Sequence, residues 1–523
     1  MGIMKVRTIL KNKQHLFLIT FFIIYSVLLL YVAKNKIASE DEMYTLHTTS
    51  SNLGFAIKES YNFEQQPPVY FGLLSLWRNI SDSMYFIRIL SIAFIFLGAI
   101  FIYKTCIFFY DKGTSILTTI LFLLNPFIIS ESINARPYAL LIFCSASSIY
   151  FFYKAYLTES STKINILIHA LIGLLGIFTQ YLFVFLLIAE FIALLISKER
   201  KKIQVFFAIH LFIAVIFCVN WIFIPNQMEI QRIPAGLKIR YLKTYFSTIH
   251  NFLISFQPFQ FNNVIEYSVL LLYIIWMLIF FKKQKFSTAK ICKIFSPVFF
   301  LLIITVVVFL SVIIFFTGAK LYYSARYMTI LFPSLFLLFI FTLTIFGKKY
   351  FLLCFMFLSV YYLIVDIKTN SNPVRNLDYE EIAEYIGNNV KSDIPLLFYK
   401  FGHSLPFQHY YSGNNKIIQL PFITFDYNLS SNEDNIIKDT VTLNRIFKMN
   451  LGNEKELIYI TDQFDKNISE VLNYNLVESY LADKFYIPLD TVIMGRSKTN
   501  GLRILKLIRK DSTLYKQTKP PSN

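Results

Sequence analysis

The sequence predicts a polytopic α-helical membrane protein with a C-terminal α/β domain outside the membrane. Three observations predict it. Hydrophobic residues make up 55% of the 523-residue chain, more than the roughly half that soluble domains reach. Apolar runs of about 20 residues recur along most of the chain, long enough to cross about 30 Å of hydrocarbon. From about Thr369 charges become mixed and apolar runs shorten to strand length.

About eleven spans are expected by length, at residues 15–33, 84–108, 115–130, 138–156, 164–179, 181–197, 205–225, 264–281, 295–317, 327–346 and 350–367. The first run follows Lys5, Arg7, Lys11 and Lys13 and ends in YVAKNK without a small-x-small cleavage site, so it reads as a retained signal anchor. With the N-terminus in the cytoplasm, every inside loop is basic: Lys104 and Lys112, Lys154 and Lys163, Lys198 to Lys202, Lys282 to Lys293, and Lys348 with Lys349. The outside turns at 130–136 and 179–181 carry almost no Lys or Arg. This is the positive-inside pattern, and an odd number of spans leaves the C-terminal region extracytoplasmic. The formal charge of +18 then follows from topology, and no nucleic-acid partner is expected. The five cysteines lie in apolar runs or inside loops, so no disulfide framework is expected.

The chain thus divides into a membrane module at residues 1–368, with a first outer loop at 34–83, and an extracytoplasmic α/β domain at 369–523. In the latter, a helix with acids in its first turn starts near Asn376. Segments 395–401, 416–422, 456–461, 486–494 and 502–508 read as strands.

Four groups on the outer face could carry chemistry. Asp41 and Glu42 follow the first span; they either solvate its end or supply a general base to an acceptor hydroxyl. Asp41 is the preferred base and Glu42 its supporting neighbour. Gln66-Pro67-Pro68-Val69-Tyr70 fixes two φ angles and makes a loop-to-helix junction that would hold Gln66 and Tyr70 over a pocket. The run 69–77 after it is amphipathic, with Trp77 as interfacial anchor. Arg136, in Asn134-Ala-Arg-Pro-Tyr138, runs against the charge bias: it either snorkels to water, pairs with Glu131, or binds phosphate through its planar guanidinium. Arg326-Tyr327 and Arg88 also enter spans from this face, and three arginines there suggest a held anion. Gln180-Tyr181 occupies a tight outside hairpin, where a glutamine is ordinarily a turn residue.

These stretches, in order DEMYT at Asp41, QPPVYF at Gln66, FIRILS around Arg88, NPFIISESINARPYALL through Arg136, TQYLF at Thr179 and ARYMTILFP at Arg326, resemble the GT-C membrane glycosyltransferases. The nearest branch is the PMT-like one, glycosyltransferase family 39, related to bacterial aminoarabinose transferases and protein O-mannosyltransferases. The resemblance covers roughly residues 15–370. It implies transfer of a sugar from a polyprenyl-phosphate donor to an extracytoplasmic glycan, lipid or protein acceptor by inverting displacement. Asp41 matches the family's catalytic base and Glu42 its acidic neighbour; Arg136 and Arg326 match basic residues near the carrier phosphate, with Tyr138, Tyr327 and Arg88 beside them. Gln66, Tyr70, Gln180 and Tyr181 would line the substrate pocket. Relatives commonly carry His at the places of Gln66 and Gln180, and an acid at that of Asn134. Losing imidazoles removes good metal ligands, so the sequence requires no cofactor and a divalent metal lacks its usual ligands.

Two other readings use the same outer arginines. A transporter or flippase of lipid-linked sugars should carry ionisable residues at mid-span; here Glu190 is the clearest, with His169 and His210 near span ends. A glycan ligase or polymerase would use a pyrophosphate-linked donor. Sugar, carrier length and acceptor are not encoded in any motif.

Overall fold

The computed structural model describes residues 20–36, 38–158, 162–197, 200–222, 241–253, 288–319, 324–344, 347–371, 379–399, 404–420, 439–451, 454–462, 474–486, 491–494 and 502–510. The chain opens with α1 (Thr20–Asn35). Three short helices follow: α2 (Glu40–Thr48), α3 (Leu53–Asn62) and α4 (Val69–Arg78). The bundle continues with α5 (Met84–Cys106), α6 (Lys112–Leu124), α7 (Pro126–Ser132), α8 (Tyr138–Phe152), α9 (Lys163–Ile177), α10 (Val184–Ser197), α11 (Arg200–Ile222), α12 (Tyr241–Leu253), α13 (Thr288–Gly318), α14 (Phe332–Thr344) and α15 (Lys348–Ser371).

Among the described residues six helices are long and apolar enough to cross a membrane, and seven if the bent pair α6–α7 is one span. Thr20–Asn35, Lys163–Ile177 and Tyr181–Ile196 are shorter apolar helices. The chain is a multi-pass helical membrane protein. Each expected span overlaps a described helix except 264–281, which lies outside the described residues. The expected span at 115–130 is not one straight helix: α6 and α7 meet at 62°. Pro126 forces its predecessor extended, and Asn125, at φ −62° and ψ 128°, caps the new helix by accepting from Phe127 N at 2.9 Å.

Helices α5 and α8 pack along one another, as do α10 and α13. Their contacts belong to one apolar core that includes Ile95, Ile102, Leu141, Ile149, Ile304 and Val308. The turn after α9 is held tight because a Cβ at Gly176 would meet the Phe183 ring at 2.5 Å; glycine alone fits there.

Beyond residue 378 the chain forms a mixed sheet. Helices α16 (Tyr379–Asn389), α17 (Ser404–Tyr410), α18 (Thr440–Asn450) and α19 (Tyr474–Lys484) accompany strands β1 (Leu396–Tyr399), β2 (Ile417–Leu420), β3 (Glu456–Asp462), β4 (Phe485–Tyr486), β5 (Thr491–Met494) and β6 (Leu502–Arg509). The order is β2-β1-β3-β6-β4, with β5 also paired to β6. β1 runs parallel to β2 and β3, and β6 antiparallel to β3, β4 and β5. The strand expected at 486–494 is two pieces, both on β6. Alternate residues of β1 serve opposite faces. Leu396 and Phe398 pack with Tyr379 and Ile386 of α16 and Phe407 of α17, whereas Leu397 and Tyr399 pack with Leu443 of α18 and Val477 of α19. Helix α17 also rests on α2, which joins the sheet to the segment between α1 and α5.

Candidate active site

Helix α2 starts with a capping box. Ser39 Oγ accepts from Glu42 N at 3.3 Å, and Ser39 N donates to Glu42 Oε2 at 3.0 Å. This fixes which way the two acids turn. Glu42 points inward and is fully buried; Arg88, 1% exposed, clamps it with Nε to Oε1 at 2.9 Å and Nη2 to Oε2 at 3.0 Å. Ala135 N donates to the same carboxylate at 3.0 Å. Arg88 Nη1 donates to the carbonyls of Ala33 and Lys36, each at 2.7 Å. One bidentate pair therefore ties together the end of α1, the start of α2, the head of α5 and the turn before α8. Arg88 belongs to this wall, since its guanidinium is engaged and enclosed, and the same holds for Glu42. Arg88, expected near a donor phosphate, and Glu42, expected beside the base, here bind each other.

Burial alone would raise the Glu42 carboxyl, but Lys36 and Arg88 outweigh it and bring it to about 2. Its stabilising contribution is complete above its ordinary value of 4.5 and is lost as pH falls towards about 2. The thermal midpoint of Glu42→Gln should therefore fall short of wild type by a margin that narrows as pH drops through that window. Parallel pH–melting curves would contradict this.

Arg136 forms a second buried pair, with Glu64 rather than with Glu131. Nη1 lies 2.7 and 2.9 Å from the two Glu64 oxygens, 2.8 Å from Thr45 Oγ1 and 3.0 Å from the Asp41 carbonyl oxygen. Burial opposes the charge on Arg136, yet Glu64 and Asp41 more than offset it and keep it protonated. The sequence reading did not weigh Glu64. Gln65, next to it, has φ +53°, a left-handed conformation uncommon outside glycine. The reversal aims Glu64 at Arg136 and lets Gln66 N reach Ser60 O at 2.8 Å.

The third pair is different. Arg326 Nη1 donates to Asp41 Oδ2, with side chains 44% and 35% exposed against 5% and 4% for Arg136 and Glu64. Tyr138 is buried within electrostatic reach of Arg136, Arg326, Asp41 and Tyr327. Tyr327 stacks on Phe316 with centroids 5.1 Å apart. Asp41, Arg136, Arg326, Tyr138 and Tyr327 thus converge, with Asp41 and Arg326 separated by 285 positions in sequence.

The two glutamine turns also meet: Val69 N donates to Phe178 O at 3.1 Å. Gln66 is half-buried and Gln180 nearly enclosed, with Gln180 Oε1 unbonded. No bond joins their side chains among the described residues. Tyr70 is fully buried in the wall below, where burial pushes its phenol up. Tyr181 packs edge-on against Phe217 at 5.7 Å. Trp77 stacks on Phe86 at 4.8 Å and donates to its carbonyl at 2.9 Å. No cluster of three His, Cys, Asp or Glu side chains suited to a metal occurs among the described residues.

Residues 65–224 match the family model described as dolichyl-phosphate-mannose-protein mannosyltransferase. The fold is that of ArnT from Cupriavidus metallidurans. Its apo structure superposes with a TM-score of 0.56 at 11% identity, covering 94% of this chain and 97% of that one. Its structure bound to undecaprenyl phosphate gives 0.55 at 11% identity, covering 93% and 98%. No curated protein matches at the level of sequence. The family match over residues 65–224 and the ArnT-like fold agree with the resemblance of the motifs to GT-C, PMT-like glycosyltransferases.

Proposed function

We propose that the chain moves a sugar from a polyprenyl-phosphate donor to an acceptor on the extracytoplasmic face, by one inverting displacement with Asp41 as general base. One observation carries the reading. Of the three acid–arginine pairs gathered here, two are enclosed, and only Asp41–Arg326 is open to a substrate. The anionic phosphate of the donor competes with Asp41 for Arg326. Once Arg326 turns to the phosphate, Asp41 is free to accept the proton of an acceptor hydroxyl. That oxygen bonds to the anomeric carbon as the bond from carbon to phosphate oxygen breaks. The leaving lipid phosphate keeps the electron pair, and Arg326 and Tyr138 stabilise its charge. Arg136 acts from behind by holding the Asp41 backbone. An undecaprenyl phosphate complex of a protein with the same fold supports a lipid-phosphate donor, and the contact of α17 with α2 supports a sheet lying beside the segment that carries Asp41.

The transporter reading loses its main feature. His169 Nε2 and Glu190 Oε2 lie 3.0 Å apart, and Ser148 Oγ donates to Glu190 Oε1 at 2.8 Å, all fully enclosed. They satisfy one another rather than line a path.

The test is transfer by purified protein in liposomes carrying candidate polyprenyl-phosphate sugars. Product with inverted anomeric configuration is expected; retention, or flipping of donor without transfer, would overturn the reading. A metal's usual imidazoles are replaced by Gln66 and Gln180, and the carboxylates of Glu42 and Glu64 are held by arginines. Chelation with EDTA is therefore expected to leave the transfer rate within about twofold, well under the tenfold that 1.4 kcal/mol represents. Loss of activity restored by added divalent ion would contradict this.

A further inference from the structure

A cavity of about 520 Å3 opens between α18, α19 and the β4–β6 edge. It lies on the sheet face served by α18 and α19, opposite the one whose α17 rests on α2. It is therefore separate from the Asp41 cluster. Its volume falls in the usual range for small-molecule sites.

Its lining combines three chemistries. Lys448, Lys484, Arg509 and Lys510 supply four cations against two carboxylates, Glu454 and Asp483. Asp483 pairs with Lys484 at 3.3 Å, whereas Lys448 forms no ion pair among the described residues. Phe447, Tyr480 and Phe485, packed on one another with centroids 5.1 and 6.2 Å from Phe447 to the other two and only 5–8% exposed, give the cavity an apolar side of aromatic edges. Tyr480 donates its hydroxyl to Asn444 Oδ1 at 2.7 Å, which leaves the Asn444 amide N–H groups as donors.

A bare inorganic anion has no use for the aromatic edges, and an apolar ligand has none for four cations. A sugar ring matches both. Its C–H groups suit the aromatic edges, its hydroxyls suit an amide donor and carboxylate acceptors, and an acid substituent meets the lysines. We propose that this cavity binds an acidic saccharide unit, a sugar carrying a carboxylate or a phosphate. The site stands apart from the transfer reading, because binding is read with no donor present.

The test is calorimetry on the full-length protein in detergent, with digalacturonate, galactose 6-phosphate, neutral galactobiose, inorganic phosphate and hexaglutamate as probes. At least one of the two acidic saccharides should bind, and which one does identifies the acid. Lys448→Glu, at an exposed position, should weaken that binding about tenfold or more, as loss of one charge-assisted contact implies. Its melting curve should be unchanged. Galactobiose binding as well as the acidic sugars would overturn the role of charge. Phosphate or hexaglutamate binding as tightly would overturn the role of the sugar. Failure of both acidic saccharides to bind, or unchanged binding by Lys448→Glu, would overturn the site.

Discussion

Asp41→Asn is expected to lower sugar transfer by about 10²–10⁴-fold, the range a positioned general base contributes. Its melting temperature should stay within a degree or two of wild type. The stability side follows from exposure: Asp41 and Arg326 are 35% and 44% exposed, and such surface pairs contribute about 0–1 kcal/mol. Asparagine keeps the shape of the side chain and its capacity to accept from Arg326, but it cannot take a proton. Transfer rates from single-turnover assays, set beside thermal unfolding of the same preparation, separate the two effects. Equal transfer by Asp41→Asn and wild type would remove Asp41 as the base.

Arg88→Ala should show the opposite profile, a large loss of stability. Arg88 is 1% exposed and Glu42 fully enclosed. Removing the guanidinium leaves a buried carboxylate without its cation, together with the carbonyls of Ala33 and Lys36. Breaking one side of such a pair costs about 3–5 kcal/mol. The segment between α1 and α5 should loosen, and the folded yield in detergent should fall sharply. Arg88→Lys should rescue little, because an ammonium cannot span both oxygens of Glu42 while reaching two carbonyls. By contrast, Lys348→Ala, which breaks only the exposed pair with Asp111 at 3.3 Å, should change stability by less than about 1 kcal/mol. A stable Arg88→Ala protein with weakened donor binding would return Arg88 to the phosphate site.

The multi-pass helical class was legible because hydrocarbon imposes a length and an apolar composition that few other constraints produce. The bend at Asn125-Pro126 was also in the sequence, as a cap followed by proline, although the apolar run hid it. The acidic pair stands out in the sequence by position and neighbours, and Asp41 is preferred there over Glu42, but the feature that separates the two acids was not read. The signal was Ser39-x-x-Glu42, a capping-box spacing that marks Glu42 as the acid turned inward. Glu64 left no comparable trace. Its partner Arg136 lies 72 positions away, and the left-handed Gln65 that aims it is unmarked by glycine. The pairing of Arg88 with Glu42 was hidden for a related reason. Guanidinium groups at span entrances look alike in sequence, and only the packing separates the one facing a cleft from the one closing a wall. The strands of the C-terminal sheet were largely placed by their apolar runs, whereas their pairing order depends on long-range register that no local pattern carries.

Under the proposed mechanism, Asp41 and a lipid phosphate compete for Arg326 in one open site. Binding of undecaprenyl phosphate to wild type, Asp41→Asn and Arg326→Ala in nanodiscs tests it most directly. Asp41→Asn should bind at least as tightly as wild type, since its competitor charge is gone, while Arg326→Ala should bind at least about tenfold more weakly, as loss of one charge-assisted contact implies. Wild-type affinity in Arg326→Ala, or an equal loss in both variants, would contradict it.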